Sequence, residues 1–190
     1  AKVYDKYYSE GHWSANTIIS VAIGQGEILA TPLQIANLGA TIANRGYFIT
    51  PHVVKGIQDT VMDEKLLEKR YPTVEAHYYN AVADGMRTAV TGGTCRRAAI
   101  PGIEVCGKTG TAQNPHGKDH SAFMGFAPYK DPKIAVAVYV EGGGWGATFG
   151  VPIGSLVMEK YLTGTIAPER RYMEEQMLNM TLYYAAPKKK

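Results

Sequence analysis

The segment Val105-Cys106-Gly107-Lys108-Thr109-Gly110-Thr111-Ala112-Gln113 gathers one lysine, two threonines and two glycines into a short β-prone stretch. Lys108 is a point positive charge, and Thr109 and Thr111 carry hydroxyls at alternate positions, so a strand here would set both on one face. Gly107 and Gly110 would let another backbone approach closely. Such a set is suited to holding an anion or an acyl group.

Two chemistries compete for it. Gly102 to Thr109 spells G-x-x-x-x-G-K-T, the phosphate-cradling P-loop pattern, which would make the chain a nucleotide-binding module. A P-loop leaves a strand and opens a helix at its Lys-Thr. Here Thr109 is followed by Gly110, a β-branched Thr111 and then Pro115, which cannot start a helix well. Ile103, Glu104, Val105 and Cys106 are also too bulky for a loop whose amides wrap a phosphate.

The other reading is the K-T-G element of penicillin-recognising serine enzymes, which lies on a strand edging the active site. Lys108-Thr109-Gly110 matches it, and Thr111-Ala112-Gln113 extends the match. Further pieces follow the same order: Ile23-Gly24-Gln25-Gly26, Ala30-Thr31-Pro32-Leu33-Gln34, Ala43-Asn44-Arg45-Gly46, Gly93-Thr94 and Phe123-Met124-Gly125-Phe126-Ala127-Pro128. From about Thr17 to Leu162 the chain therefore resembles the class B penicillin-binding proteins, the elongation type especially. The resemblance implies a partial penicillin-binding, β-lactamase-like transpeptidase fold. It also implies peptidoglycan stem peptides as substrate, β-lactam antibiotics as ligands, and cell-wall elongation proteins as further partners. The location implied is the periplasmic or extracytoplasmic face of a bacterial cytoplasmic membrane.

One part of that family's equipment is absent. Its nucleophile sits in an S-x-x-K motif, and none of Ser9, Ser14, Ser20, Ser121 and Ser155 has lysine at the third following position. Ser14-Ala15-Asn16 matches the family's S-x-N only by chance, being far downstream of its place. The chain reads as the C-terminal part of a transpeptidase domain, inactive alone and partnered by a missing N-terminal part of the same protein. By resemblance, Lys108 is the catalytic-site charge facing the substrate carboxylate and the serine of the missing S-x-N. Thr109 and Thr111 hydrogen-bond that carboxylate, the Thr111 N–H serves an oxyanion hole, and Gly110 leaves room for substrate to add along the strand. A different class remains in view, a noncatalytic binding domain of the same fold. The bland reading of Lys108 is an edge-strand lysine that discourages aggregation.

Other chemistry-bearing residues point nowhere sharp. His116, Asp119 and His120 with Cys95 and Cys106 could be drawn as a zinc site, but their spacing fits no paired-ligand pattern, so neither metal nor cofactor is expected. Cys106 reads as a small buried hydrophobe rather than half of a disulfide with Cys95. Glu141 is a strand-end charge. The net charge of +3 equals the run Lys188-Lys189-Lys190, which reads as a solvated tail, so no nucleic-acid surface is implied.

The elements that must position Lys108 follow from local pattern. With 190 residues, 45% of them hydrophobic, the chain can bury one core. Residues 1–16, with Tyr4, Tyr7, Tyr8 and Trp13, read as an irregular lead-in whose aromatics lack a surface to cover. Thr17 to Ile23 is β-prone and runs into a glycine-flanked turn at Gln25. Thr31-Pro32-Leu33-Gln34 offers an N-cap, a first-position proline and a capping-box glutamine, opening a core helix that Gly46 closes. Tyr47 to Ile57 reads as extended, Asp63 to Arg70 as a solvated short helix or loop. A second helix is predicted over Val74 to Val90, with Tyr78, Ala81, Val82, Met86, Ala89 and Val90 on its packed side.

After the Lys108 strand, Ala122 to Ala127 and Ile134 to Val140 flank the turn Pro128-Tyr129-Lys130-Asp131-Pro132, completing a three-stranded meander. A glycine-rich link leads to a helix from about Thr148 to Leu162. The expected architecture is α+β, an antiparallel sheet with packed helices, over residues 17–163. Residues 164–190 form an extension in which Glu169 to Met180 makes an amphipathic docking helix with Tyr172 or Met173, Met177 and Met180 on one side.

Overall fold

The computed structural model describes residues 14–26, 28–54, 56 and 62–182. Contacts divide the chain into two units, Ala1–Ala30 and Thr31–Lys190. The first contains helix α1, Ala15–Ala22. Thr17 to Ile23 is therefore helical and not extended, and the predicted turn follows it, with Gly24 and Gly26 both at positive φ. None of α1 is buried, and Ile18 and Ile19 are exposed. Tyr4, Tyr7, Tyr8 and Trp13 lie outside the described residues.

The second unit has α2 (Pro32–Ala43), β1 (Phe48–Ile49), β2 (Lys69–Arg70), α3 (Tyr78–Thr91), β3 (Cys106–Ala112), β4 (His120–Ala127), β5 (Ile134–Val140), α4 (Gly150–Thr163) and α5 (Arg171–Asn179), with short 3-10 turns between. The capping box forms as its residues dictate. The Thr31 hydroxyl accepts from the Gln34 N–H at 3.3 Å, and the Thr31 N–H donates to Gln34 Oε1 at 2.8 Å. The helix ends with Arg45 at φ 59°, and the Arg45 guanidinium donates to the carbonyls of Ile42 and Ala43, meeting acceptors that the helix end leaves open. The sequence Ala43-Asn44-Arg45-Gly46 is thus a helix stop that carries its own cap.

Strands β3, β4 and β5 form an antiparallel meander in that order, with Lys108 opposite Met124 and Thr109 opposite Phe123. Alternation along β4 feeds two cores. Phe126, with Met124 and Cys106, packs against Ile42, Ala43, Tyr79, Ala83 and Met86 of α2 and α3. Phe123 and Ala127 face Val151 and Met158 of α4, along with Val105, Cys95 and Ile100. The sheet is the middle of three layers, as an α+β reading requires.

Among the described residues of the Tyr47 to Ile57 region, strand structure is Phe48–Ile49, which pairs with Lys69–Arg70. The charged patch contributes a 3-10 turn at Glu64–Leu66 and then that strand. Helix α3 starts later than predicted, and its packed side is rotated. Tyr79, Ala83, Met86 and Val90 are buried, whereas Tyr78, Ala81 and Val82 are exposed. The helix has two apolar stripes, and periodicity alone does not say which one the sheet takes. Similarly, α2 buries Gly39, Thr41, Ile42 and Ala43 but leaves Leu33 and Leu38 exposed, so only its second half is core.

Beyond α4 the chain forms α5, which packs on it. Met173 of α5 is buried against α4, while Tyr172 is exposed. A buried ion pair locks this corner: Arg170 Nε lies 2.8 Å from Glu159 Oε2 of α4, with the two side chains 7% and 2% exposed.

The ring of Phe123 sits where α4 crosses the sheet, and a β-carbon added at Gly154 would lie 2.4 Å from it. Phe123 is 2% exposed and has no free direction in which to retreat. Gly154→Ala is expected to cost about 3 kcal/mol in overpacking, against about 1 kcal/mol gained from alanine's helix propensity. A net loss of about 2 kcal/mol should show in the urea midpoint of the chain.

Candidate active site

The first requirement of the site is that Lys108 to Thr111 be a strand, and they are. Cys106–Ala112 is continuous β3, and no helix opens at Lys108-Thr109, which removes the P-loop reading. Among the described residues β3 has β4 as its one ladder partner, so its other edge is open. The Lys108 Nζ donates to the Thr109 carbonyl at 2.8 Å, keeping the ammonium against the strand.

Lys108 emerges on the face that carries α2 and α3. It lines a cleft of ≈ 760 Å³ together with Ile42, Val82, Met86, Thr94 and Met124. The exposed stripe of α3 forms one wall of this space. Thr109 and Thr111 lie on the opposite strand face from Lys108, as alternation predicts. The Thr109 hydroxyl lies 3.0 Å from that of Thr94, and the Thr111 hydroxyl accepts from the Gly146 N–H at 3.3 Å. At Gly110 an added β-carbon would meet only Ala122, at 3.3 Å. Gly107 plays a different part from the expected backbone approach, since a β-carbon there would lie 2.5 Å from the Phe123 ring. Its smallness serves the core.

Both serines of this unit are held within the fold. Ser121 is buried, accepting from the Gly150 N–H and donating to the Trp145 carbonyl. Ser155 is buried between the Pro152 carbonyl and Arg170. Ser14 and Ser20 belong to the first unit, and Ser9 lies outside the described residues.

Both cysteines are free and buried. Burial pushes the Cys106 thiol up to about 12, which leaves it a neutral hydrophobe at physiological pH. Burial also raises Cys95, against hydrogen bonding from the Thr94 side chain and the Thr109 backbone. His120 Nδ1 accepts from the Gly142 N–H and His116 is exposed on its loop. Among the described residues, no three His, Cys, Asp or Glu side chains are grouped to hold a metal ion.

Comparison with known proteins addresses what this strand belongs to. Residues 3–159 match the model of the penicillin binding protein transpeptidase domain. The chain belongs to the penicillin-binding protein transpeptidase family. Among its relatives, the peptidoglycan D,D-transpeptidase MrdA of Haemophilus influenzae is 34% identical over 181 residues, covering 84% of this chain and 28% of MrdA. The chain thus spans under a third of that relative's length.

Two solved members of the family agree in fold. Penicillin-binding protein A of M. tuberculosis, as an imipenem acyl-enzyme complex, superposes with TM-score 0.65 at 33% identity over 76% of this chain and 33% of that one. The Helicobacter pylori PBP2 in its complex with MreC gives TM-score 0.70 at 27% identity, over 86% of this chain and 30% of that one.

Two contacts of β3 are not visible in the sequence. Thr94 enters there only as part of a matching Gly-Thr pair, and Gly146 only as part of a glycine-rich link. Each reaches β3 across a fold-dependent distance, 15 and 35 residues along the chain. No local pattern encodes either.

Proposed function

We propose that this chain is the substrate-binding part of a peptidoglycan D,D-transpeptidase whose nucleophilic serine is carried by an upstream S-x-x-K segment. The observation that carries this is the open edge of β3, with Lys108 lining the cleft and Thr109 and Thr111 flanking Gly110. In the reaction, the serine oxygen bonds to the carbonyl carbon of the penultimate D-alanine of a stem peptide. The peptide C–N bond breaks, and the terminal D-alanine leaves with the serine's proton on its amine. An amine of a second stem then attacks the ester, which returns the serine and completes the cross-link.

Lys108 supplies positive charge toward the terminal carboxylate and the reacting serine, and Thr109 and Thr111 donate to that carboxylate. The Thr111 N–H stabilises the oxyanion, and the open edge lets the stem peptide add as a strand. A β-lactam follows the first step only: its ring amide opens onto the serine, and nothing leaves. The M. tuberculosis acyl-enzyme favours β-lactams as ligands of this chain's family site, and the PBP2–MreC complex favours a cell-wall elongation assembly as its setting. That setting is extracytoplasmic. No helix among the described residues is long and apolar enough to cross a membrane. The uncovered stripe of α3, with Val82 and Tyr78, and the exposed Leu33 and Leu38 of α2 are surfaces for the missing part of the domain to cover.

The test is intact mass after incubation with excess benzylpenicillin. This chain is expected to stay unmodified, and a longer protein that includes the S-x-x-K segment to gain one penicilloyl group. A penicilloyl adduct on the 190-residue chain itself would overturn the assignment of the nucleophile.

A further inference from the structure

Ser121 and Thr111 are cross-strand partners on one face of the sheet, and a single peptide group joins their hydroxyls. The Ser121 hydroxyl donates to the Trp145 carbonyl at 2.9 Å, and the N–H of the same peptide, that of Gly146, donates to Thr111 Oγ1 at 3.3 Å. Behind Ser121, the Gly150 N–H at the start of α4 donates to the serine oxygen at 3.0 Å. A carbonyl can only accept and a backbone N–H can only donate, so every direction in this chain of bonds is fixed. Ser121 is fully buried, and its one proton is committed to Trp145.

The peptide is placed with little freedom. The Gly146 carbonyl accepts from the Val151 N–H at 3.0 Å, and the Asp119 carbonyl accepts from the Gly144 N–H at 2.7 Å. A β-carbon on Gly146 would lie 2.5 Å from the Gly110 carbonyl oxygen and 2.6 Å from that of Ala122, so only glycine brings the link this close to β3. The contact with Thr111 is near the outer limit of a hydrogen bond, and a small retreat of the link would end it. With the Gly146 N–H on one lone pair, the Thr111 hydroxyl must turn its proton away from the link. Accepting that bond also polarises the hydroxyl as a donor. Thr111 is half-buried and so not closed to a ligand.

We propose that Ser121 is a positioning residue: through the Trp145–Gly146 peptide it commits the Thr111 hydroxyl to donate to the carboxylate of the ligand. This rests on the transpeptidase reading of β3. The buried serine then acts on the ligand without touching it, and the glycine-rich link becomes the carrier of one donor rather than a spacer. The donor series runs one way, from the start of α4 to the binding strand.

The experiment is a double-mutant cycle in the longer protein that includes the S-x-x-K segment, read as second-order acylation rates with benzylpenicillin. Thr111→Val should slow acylation about tenfold, the size of one hydrogen bond to a charged group. Ser121→Ala alone should slow it about fivefold, the size of an ordinary hydrogen bond. In the Thr111→Val background, Ser121→Ala should change the rate by less than about twofold, because the hydroxyl through which it acts is gone. If Ser121→Ala does not fold, Ser121→Cys, which keeps the volume and donates only weakly, carries the same comparison. A serine that merely holds the fold would slow acylation equally in both backgrounds. That result, or no loss from either single substitution, would overturn the role of Ser121 while leaving the transpeptidase reading intact. A wild-type longer protein that benzylpenicillin does not acylate would overturn that reading and this inference with it.

Discussion

Replacing Lys108 with alanine in a longer protein that carries the S-x-x-K segment is expected to lower benzylpenicillin acylation by about 10²–10³-fold, the usual loss when a preorganised electrostatic donor is removed from a reacting centre. Stability should barely move. Lys108 is exposed, and among the described residues its side chain hydrogen-bonds to a neighbouring carbonyl alone, so the change in unfolding free energy should be within about 0.5 kcal/mol. That split separates a functional lysine from one that merely keeps an open strand soluble. An edge-guarding lysine would leave the acylation rate alone and show its loss as self-association. Lys108→Arg should recover only part of the rate, because a planar fork cannot occupy the place of a compact ammonium.

The largest expected effect on stability lies at the far side of the sheet. Arg170 donates to Glu159, to the Ser155 hydroxyl at 2.8 Å and to the Ala99 carbonyl, while Glu159 also accepts from the Ala167 N–H at 3.1 Å. Every atom of this pair is matched, and almost none of it touches water. Arg170→Ala would leave the Glu159 carboxylate buried with a single backbone donor. The expected loss is about 3–5 kcal/mol, measured by urea unfolding of the chain. Arg170→Met combined with Glu159→Leu removes both charges and should recover most of it, since a well-packed apolar pair can match a buried ion pair. A double variant as unstable as Arg170→Ala would mean that shape, and not the stranded charge, sets the cost.

These residues mark where sequence reading succeeds and stops. The capping box at Thr31, the hairpin turn at Pro128 to Pro132 and the β-prone run around Lys108 are local, each determined by residues within one turn or one strand. They were legible for that reason. Thr17 to Ile23 misled because its β-branched residues favour strands only weakly, a preference that surroundings override. In α3 the spacing was right in the second half, where Met86, Ala89 and Val90 pack on the core, and wrong in the first, where Tyr79 and Ala83 are buried in place of Tyr78, Ala81 and Val82. The Arg170–Glu159 pair was invisible, as nothing in Pro168-Glu169-Arg170-Arg171 distinguishes the buried arginine from its exposed neighbour. Of the candidate site, the strand itself was legible. The Thr94 and Gly146 contacts were not, because they exist only once separate loops have been brought to β3.

The crowding around Phe123 reaches beyond the single substitution at Gly154. Gly107, Gly125 and Gly154 all border the same ring, each leaving less than 3.0 Å for a β-carbon, and they come from two strands and a helix. One side chain therefore claims the volume of three absent ones. Among descendants of this chain, a methyl group at any of these glycines becomes acceptable only after the ring has shrunk, and a smaller residue at Phe123 leaves a void until a glycine has grown. The four positions form a lineage trap: each fixes what the others can become, and the strand bearing Lys108 inherits its glycine from a constraint set on its hidden side.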